Sequence, residues 1–184
     1  TNKMFYDFVE KSGYQPDDDR GYLKHWENGK YKEIDANLPV VNVSQTDARA
    51  YAAFYGMKLP TDIQWQYMAA GPDNLPYPWG DKRDYSKCNV FTSGLTPVDA
   101  HPESASPFGL VDLCANAWEM TDDTIDDGWH RFILLRGGCY LKAHNYWHAE
   151  GGVLRNDQHL KMHLLGGAMD RNETVGFRCI KEGE

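Results

Sequence analysis

The 184-residue chain has no run of lysine or arginine, no Cys-x-x-Cys pair and no apolar stretch of membrane-spanning length. Without a basic footprint, nucleic acid and anionic membrane surfaces are poor partners, because both are bound through clustered cations. The formal net charge of −8 points the same way. The missing cysteine pairs remove the zinc-ribbon and thioredoxin readings. No basic segment followed by an apolar one opens the chain, and nothing approaches the ~20 apolar residues of a membrane-spanning helix, so membrane insertion is not expected. A nucleophile elbow, a phosphate loop, an HExxH pattern and a Ser/His/Asp order are likewise missing. So are internal repeats and low-complexity linkers.

What the chain does have is glycine, proline and aromatic side chains, at 17, 9 and 24 residues. That mixture suits one compact domain with many tight turns and long ordered loops. Phe5, Phe8 and Val9 fall at helical spacing and Gly13 offers a left-handed stop, which predicts a helix over 3–12. Ser44-Gln45-Thr46-Asp47 has the form of a capping box, with Ala48, Tyr51, Ala52 and Tyr55 on one face before Gly56. Thr61 is the predicted N-cap of a third helix carrying Ile63, Trp65, Tyr67 and Met68. Strands are expected over 132–135 and 175–180, both rich in β-formers. The acid clusters Asp17-Asp18-Asp19 and Asp122, Asp123, Asp126, Asp127 are expected to be solvated loops.

Two groups could carry chemistry. His144 and His148 are four apart, as are His159 and His163, a spacing that on a helix sets two imidazoles side by side for a transition metal. Gly151-Gly152 argues against one continuous helix there. Cys88, Cys114, Cys139 and Cys179 allow several disulfide pairings that sequence alone does not rank, which leaves the redox compartment open.

A series of short motifs runs the length of the chain. Pro39-Val40-Val41-Asn42-Val43-Ser44, Asp47-Ala48-Arg49-Ala50-Tyr51, Leu59-Pro60-Thr61 and Trp65-Gln66-Tyr67 come first. Tyr77-Pro78-Trp79-Gly80-Asp81, Cys88-Asn89, Thr96-Pro97-Val98-Asp99-Ala100 and Ser106-Pro107-Phe108-Gly109-Leu110 follow. Asn116-Ala117-Trp118-Glu119, Leu135-Arg136-Gly137-Gly138 and Gly176-Phe177-Arg178-Cys179 complete it. In order and content the series resembles the formylglycine-generating-enzyme, or sulfatase-modifying-factor, family. The resemblance implies an α+β fold of the C-type-lectin-like type, with few helices around a small antiparallel sheet. It covers 1–184 as a single domain, apparently lacking the family's N-terminal strand, so the chain is expected to be part of a longer one or to receive that strand from elsewhere. It leans towards a secreted or periplasmic setting.

The resemblance also implies a calcium site made of the Asp112 and Glu119 side chains and the carbonyls of Ala115 and Ala117, the hard oxygen donors that calcium requires. The family's second calcium site is not expected, because only Asn89 and Val90 match it and the loop between Thr92 and Thr96 is short. The two positions at which the family carries copper-binding cysteines hold Lys142 and Trp147. Neither side chain is a thiolate, the soft donor that copper(I) prefers, so copper and formylglycine formation are not expected. The cysteine that joins Cys179 in some members corresponds to Ala52. The iron-dependent sulfoxide synthases of the family draw ligands from a helical domain that this chain does not contain. Across 142–171, Tyr146, Trp147, His148, Arg155, His159 and Arg171 then form a candidate groove for a glycan or a protein or peptide ligand, where rings give flat apolar area and polar tips give direction. The expected function is a ligand-binding pseudoenzyme. The alternative is a metal-dependent oxidoreductase built on the histidines or on Cys139.

Overall fold

The computed structural model describes residues 1–142, 153, 155–158, 160–166 and 169–181. Among the described residues three α-helices form, where apolar spacing and caps predict them. In α1, Asn2–Ser12, the Thr1 hydroxyl accepts the Met4 N–H, and Gly13 closes the helix in the left-handed region at φ 65°. In α2, Gln45–Phe54, the Ser44 and Asp47 side chains each accept the other's backbone N–H, at 3.1 and 2.7 Å. Thr61 and Gln64 repeat that reciprocal arrangement at the start of α3, Asp62–Ala70. Each box satisfies two of the N–H groups that a helix start leaves without partners.

Among the described residues the sheet has four strands, β1 (Trp118–Asp126), β2 (Arg131–Arg136), β3 (Leu160–Leu164) and β4 (Val175–Phe177), in the order β3-β2-β1-β4. β1 and β3 flank β2 antiparallel, whereas β4 lies parallel to β1, so the sheet is mixed rather than wholly antiparallel. The predicted strand over 175–180 is β4 plus an isolated bridge between Lys58 and Ile180. Asp122, Asp123 and Asp126 are in β1 and not in a loop, which corrects the sequence expectation. The strand's first four residues are buried and its last three exposed, so the acids occupy the solvated half. The register slips between Met120 and Thr124, and this bulge aims β1 at α3. There Asp122 N–H donates to the Pro60 carbonyl, and the Asp123 carboxylate accepts Asp62 N–H at the helix N-terminus.

The main core joins α1 to the inner sheet face through Phe5, Phe8, Val43, Leu59, Met120, Ile133, Leu135 and Val175. Phe5 stacks on Tyr51 with centroids 5.7 Å apart, tying α1 to α2. A smaller cluster of Trp65, Ala69 and Leu113 lies beneath α3. Gly137 adopts φ 88°, which favours glycine, and a Cβ there would approach the Trp65 ring at a tight 3.3 Å. Among the described residues no helix is long and apolar enough to cross a membrane.

Candidate functional site

The loop over 110–119 enters β1 between the two smaller apolar clusters. Leu113 packs with Trp65, and Cys114 and Ala115 pack with Tyr77, Cys88 and Val153. Asn116 is the hub. Its side-chain oxygen accepts Asn89 Nδ2 and Thr96 N–H at 3.0 Å each, and its amide donates to the Thr96 carbonyl and to Asp112 Oδ2 at 3.1 Å. Its backbone bonds to Asn89 and Tyr140. Three non-glycine residues of the loop have positive φ: Asp112 at 58°, Ala115 at 69° and Asn116 at 59°. Asp and Asn tolerate that region, but for alanine it costs about 1–2 kcal/mol. The loop is thus held tightly curled against its own preference.

The curl leaves oxygens unused. Asp112 is 7% exposed, and its Oδ1 is buried without a hydrogen-bond partner among the described residues. Burial pushes its carboxyl up to about 6, a rise that the Asn116 hydrogen bond opposes and the nearby Glu119 charge supports. The carbonyls of Ala115 and Ala117 accept no backbone hydrogen bond among the described residues. Glu119, in contrast, is engaged: Trp65 Nε1 and Arg178 Nε donate to Oε2 at 2.6 Å each, and Arg178 also donates to Oε1. A buried acid with an orphaned oxygen, two buried carbonyls and one arginine-paired carboxylate make a donor set that fits a hard cation in part. Calcium there would share Glu119 with Arg178. Among the described residues no three His, Cys, Asp or Glu side chains gather as a metal-ligating set.

Of the other predicted site residues, Arg155 and Arg171 are described, and they lie apart in different surroundings. Tyr146, Trp147, His148 and His159 lie outside the described residues, as does His144. His163 is in β3, opposite Ile133. Arg155 is exposed and pairs with Asp157 at 3.0 and 3.1 Å, beside Asn156, which is anchored to the Leu75 and Pro76 backbone. Arg171 corrects the groove expectation. Its guanidinium pairs with Asp47, donates to the Asp18 and Arg20 carbonyls and lies 5.1 Å from the Tyr22 ring. The side chains of this pair are 3% and 1% exposed, so Arg171 is spent on the fold.

Lys142 is exposed and its ammonium lies 5.7 Å from the Phe91 ring centroid. Cys139 is buried, no disulfide joins the four cysteines, and burial pushes the Cys179 thiol up to about 11. The carboxamide of Asn89 bonds to Asn116, Gly94 and Thr92. Sequence reasoning missed Trp65 and Arg178 as partners of Glu119. A lone arginine within the apolar run Val175–Ile180 was the available signal, because a charge buried in a strand needs a counter-charge.

A loop-rich α+β domain with a mixed sheet and a curled, oxygen-lined loop is the class that fold and site define. Residues 1–183 match the family described as sulfatase-modifying factor enzyme 1-like domain, and the chain belongs to that family. Among curated relatives it is 28% identical over 214 residues to serine/threonine-protein kinase pkn1 of Chlamydia caviae, covering 98% of this chain and 31% of that protein. It is 32% identical over 157 residues to the inactive C-alpha-formylglycine-generating enzyme 2 of Mus musculus, covering 77% and 48%. The chain therefore spans about a third to a half of the length of these relatives. Among solved structures, that of CarF superposes with a TM-score of 0.67 at 19% identity, covering 97% of this chain and 82% of that one, a likeness of fold. The fold is the C-type-lectin-like one of the formylglycine-generating enzymes.

Proposed function

We propose that this domain is a non-catalytic member of its family, a pseudoenzyme whose 112–119 loop is set by calcium and whose 142–171 segment presents a ligand-binding groove. The observation that carries the first part is Lys142, an exposed ammonium over the Phe91 ring at a position where the resemblance implies a copper thiolate. A cation at that point repels copper(I) and supplies no soft donor. The relative named as inactive supports the reading, since the family keeps this fold without the activity.

Calcium would be held by Asp112, Glu119 and the Ala115 and Ala117 carbonyls. Bound there, it supplies charge neutralisation and cross-links the loop; no reaction step passes through it. The chain's own part is to keep Asp112 and the two carbonyls desolvated and curled, with Asn116 as the brace. The groove's occupant is a glycan or a peptide, because the sequence of this segment carries aromatic and cationic residue types suited to such ligands.

The test incubates the protein with copper and a cysteine-containing sulfatase peptide under air. The expected result is full retention of the peptide thiol and no stoichiometric copper uptake. Conversion of the thiol to an aldehyde in repeated turnovers would remove this reading.

A further inference from the structure

Lysine and arginine are scattered through the sequence, but the fold gathers three of them among aromatic rings of the 77–91 segment. Lys142 Nζ lies 5.7 Å from the Phe91 centroid, Phe91 stacks on Tyr85 at 5.7 Å, and the Arg83 guanidinium reaches the Tyr85 hydroxyl. Arg83 Nε also donates to Tyr77 Oη at 3.4 Å, Tyr77 stacks on Trp79 at 5.9 Å, and Lys87 Nζ lies 5.9 Å from the Trp79 centroid. The contacts run unbroken from one lysine through two rings, an arginine and two more rings to the second lysine. Most of this strip is open to solvent: Arg83 and Lys142 are exposed, Tyr85 and Phe91 are 48% and 45% exposed, and Trp79 and Lys87 are half-buried.

Among the described residues none of these three cations forms an ion pair with a carboxylate. Asp84, between Arg83 and Tyr85 in the chain, spends its Oδ1 on the Ser86 N–H and hydroxyl, at 2.9 and 2.6 Å. The ring faces fix where the ammoniums stand, since a cation is attracted to a ring within ~6 Å of its centroid. On a chain of net charge −8, the strip is therefore a local reversal of sign whose cations are held in place but not neutralised.

Complementarity defines what such a surface accepts: acids for the cations, apolar groups for the exposed rings, alternating at short intervals. A long uniform polyanion fits poorly, because beyond the strip it meets a predominantly acidic chain. A peptide can set acids and apolar side chains a few residues apart. We propose that the 77–91 strip, with Lys142 at its end, docks an acidic peptide segment of a partner protein that carries aromatic or apolar side chains between its acids. Lys142, Arg83 and Lys87 pair with its carboxylates, and Tyr85 and Phe91 supply the apolar contact. All residues of the strip except Lys142 precede the 142–171 groove, so this surface is additional to that groove, and it does not depend on calcium.

Fluorescence anisotropy with a labelled peptide of Glu-Glu-Tyr repeats tests it. The expected result is saturable binding that weakens as salt is raised, with at least ~10-fold loss in both Lys87→Glu and Lys142→Glu and unchanged melting curves for the two variants. Lys24→Glu, an exposed lysine off the strip, should bind as the parent does. No binding at ~1 mM peptide overturns the proposal. Tighter binding of oligothymidylate or of a sulfated oligosaccharide than of the peptide also overturns it, by assigning the strip to another class of anion. Loss in Lys142→Glu without loss in Lys87→Glu overturns it by moving the peptide to the 142–171 groove. Self-association of the chain that the same two substitutions abolish overturns it in favour of a second copy.

Discussion

Arg171 and Asp47 show what a single residue can and cannot disclose in sequence. Asp47 was legible as a helix cap, because a capping box needs only local spacing. That it also neutralises Arg171, 124 positions away, was not, since tertiary pairing leaves no local trace. Removing one partner of a buried pair leaves the other charge stranded. Arg171→Ala should therefore cost about 3–5 kcal/mol in urea unfolding, whereas a loss below about 1 kcal/mol, the range of exposed pairs, would mark the pair as superficial. His25 is a half-buried polar group that spacing could not place. Its Nε2 faces Asn2 Oδ1 and its Nδ1 faces Asn42 Nδ2, which suits the neutral ring. Burial depresses its folded-state value to about 4 from 6.5, with Asp35 opposing and Lys24 assisting. The folded state thus binds the proton less readily than the unfolded one. Its contribution is complete above pH 6.5 and is lost as pH falls towards about 4. Unfolding curves for His25→Gln should show a shallower loss across that window than the parent; identical slopes would contradict the assignment.

At the scale of elements, legibility followed locality. α2 and α3 begin at a hydroxyl cap with a reciprocal partner three residues on, a signal contained in four residues, and α1 was marked by the spacing of Phe5, Phe8 and Val9 and by Gly13. Thr61→Ala should accordingly cost about 1 kcal/mol, read as a lowered denaturation midpoint with an unchanged slope; no change would mean that tertiary contacts alone hold α3. β2 and β4 were found from their β-branched and aromatic runs. β1 was missed because Asp122, Asp123, Asp126 and Asp127 make its outer half look like a solvated loop, while the bulge breaks the alternation that marks a strand. The pairing of β1 with β2 and of the bulge with α3 decides the matter, and both are non-local. β3 was hidden inside a stretch expected to form a ligand groove.

For the whole molecule, the ordered set of motifs identified the family and fold, because a series spread over 39–179 constrains the entire path of the chain. The candidate site was legible only by that route: Asp112, Ala115, Ala117 and Glu119 are an acid pair and two alanines, with nothing in their spacing to distinguish them from a surface loop. The structure adds the left-handed backbone at Asp112, Ala115 and Asn116 and the orphaned Asp112 oxygen. It also adds the Glu119–Arg178 pair, which no motif announced. A loop curled at a cost, with desolvated oxygens along it, is stabilised when a cation that binds only the folded state takes them up. The measurement that tests this account most directly is elemental analysis of the purified protein by plasma mass spectrometry, before any chelator is added. About one calcium per chain with no copper is the predicted result. Copper near one per chain, with calcium at background, would contradict both the calcium-set loop and the loss of thiolate chemistry.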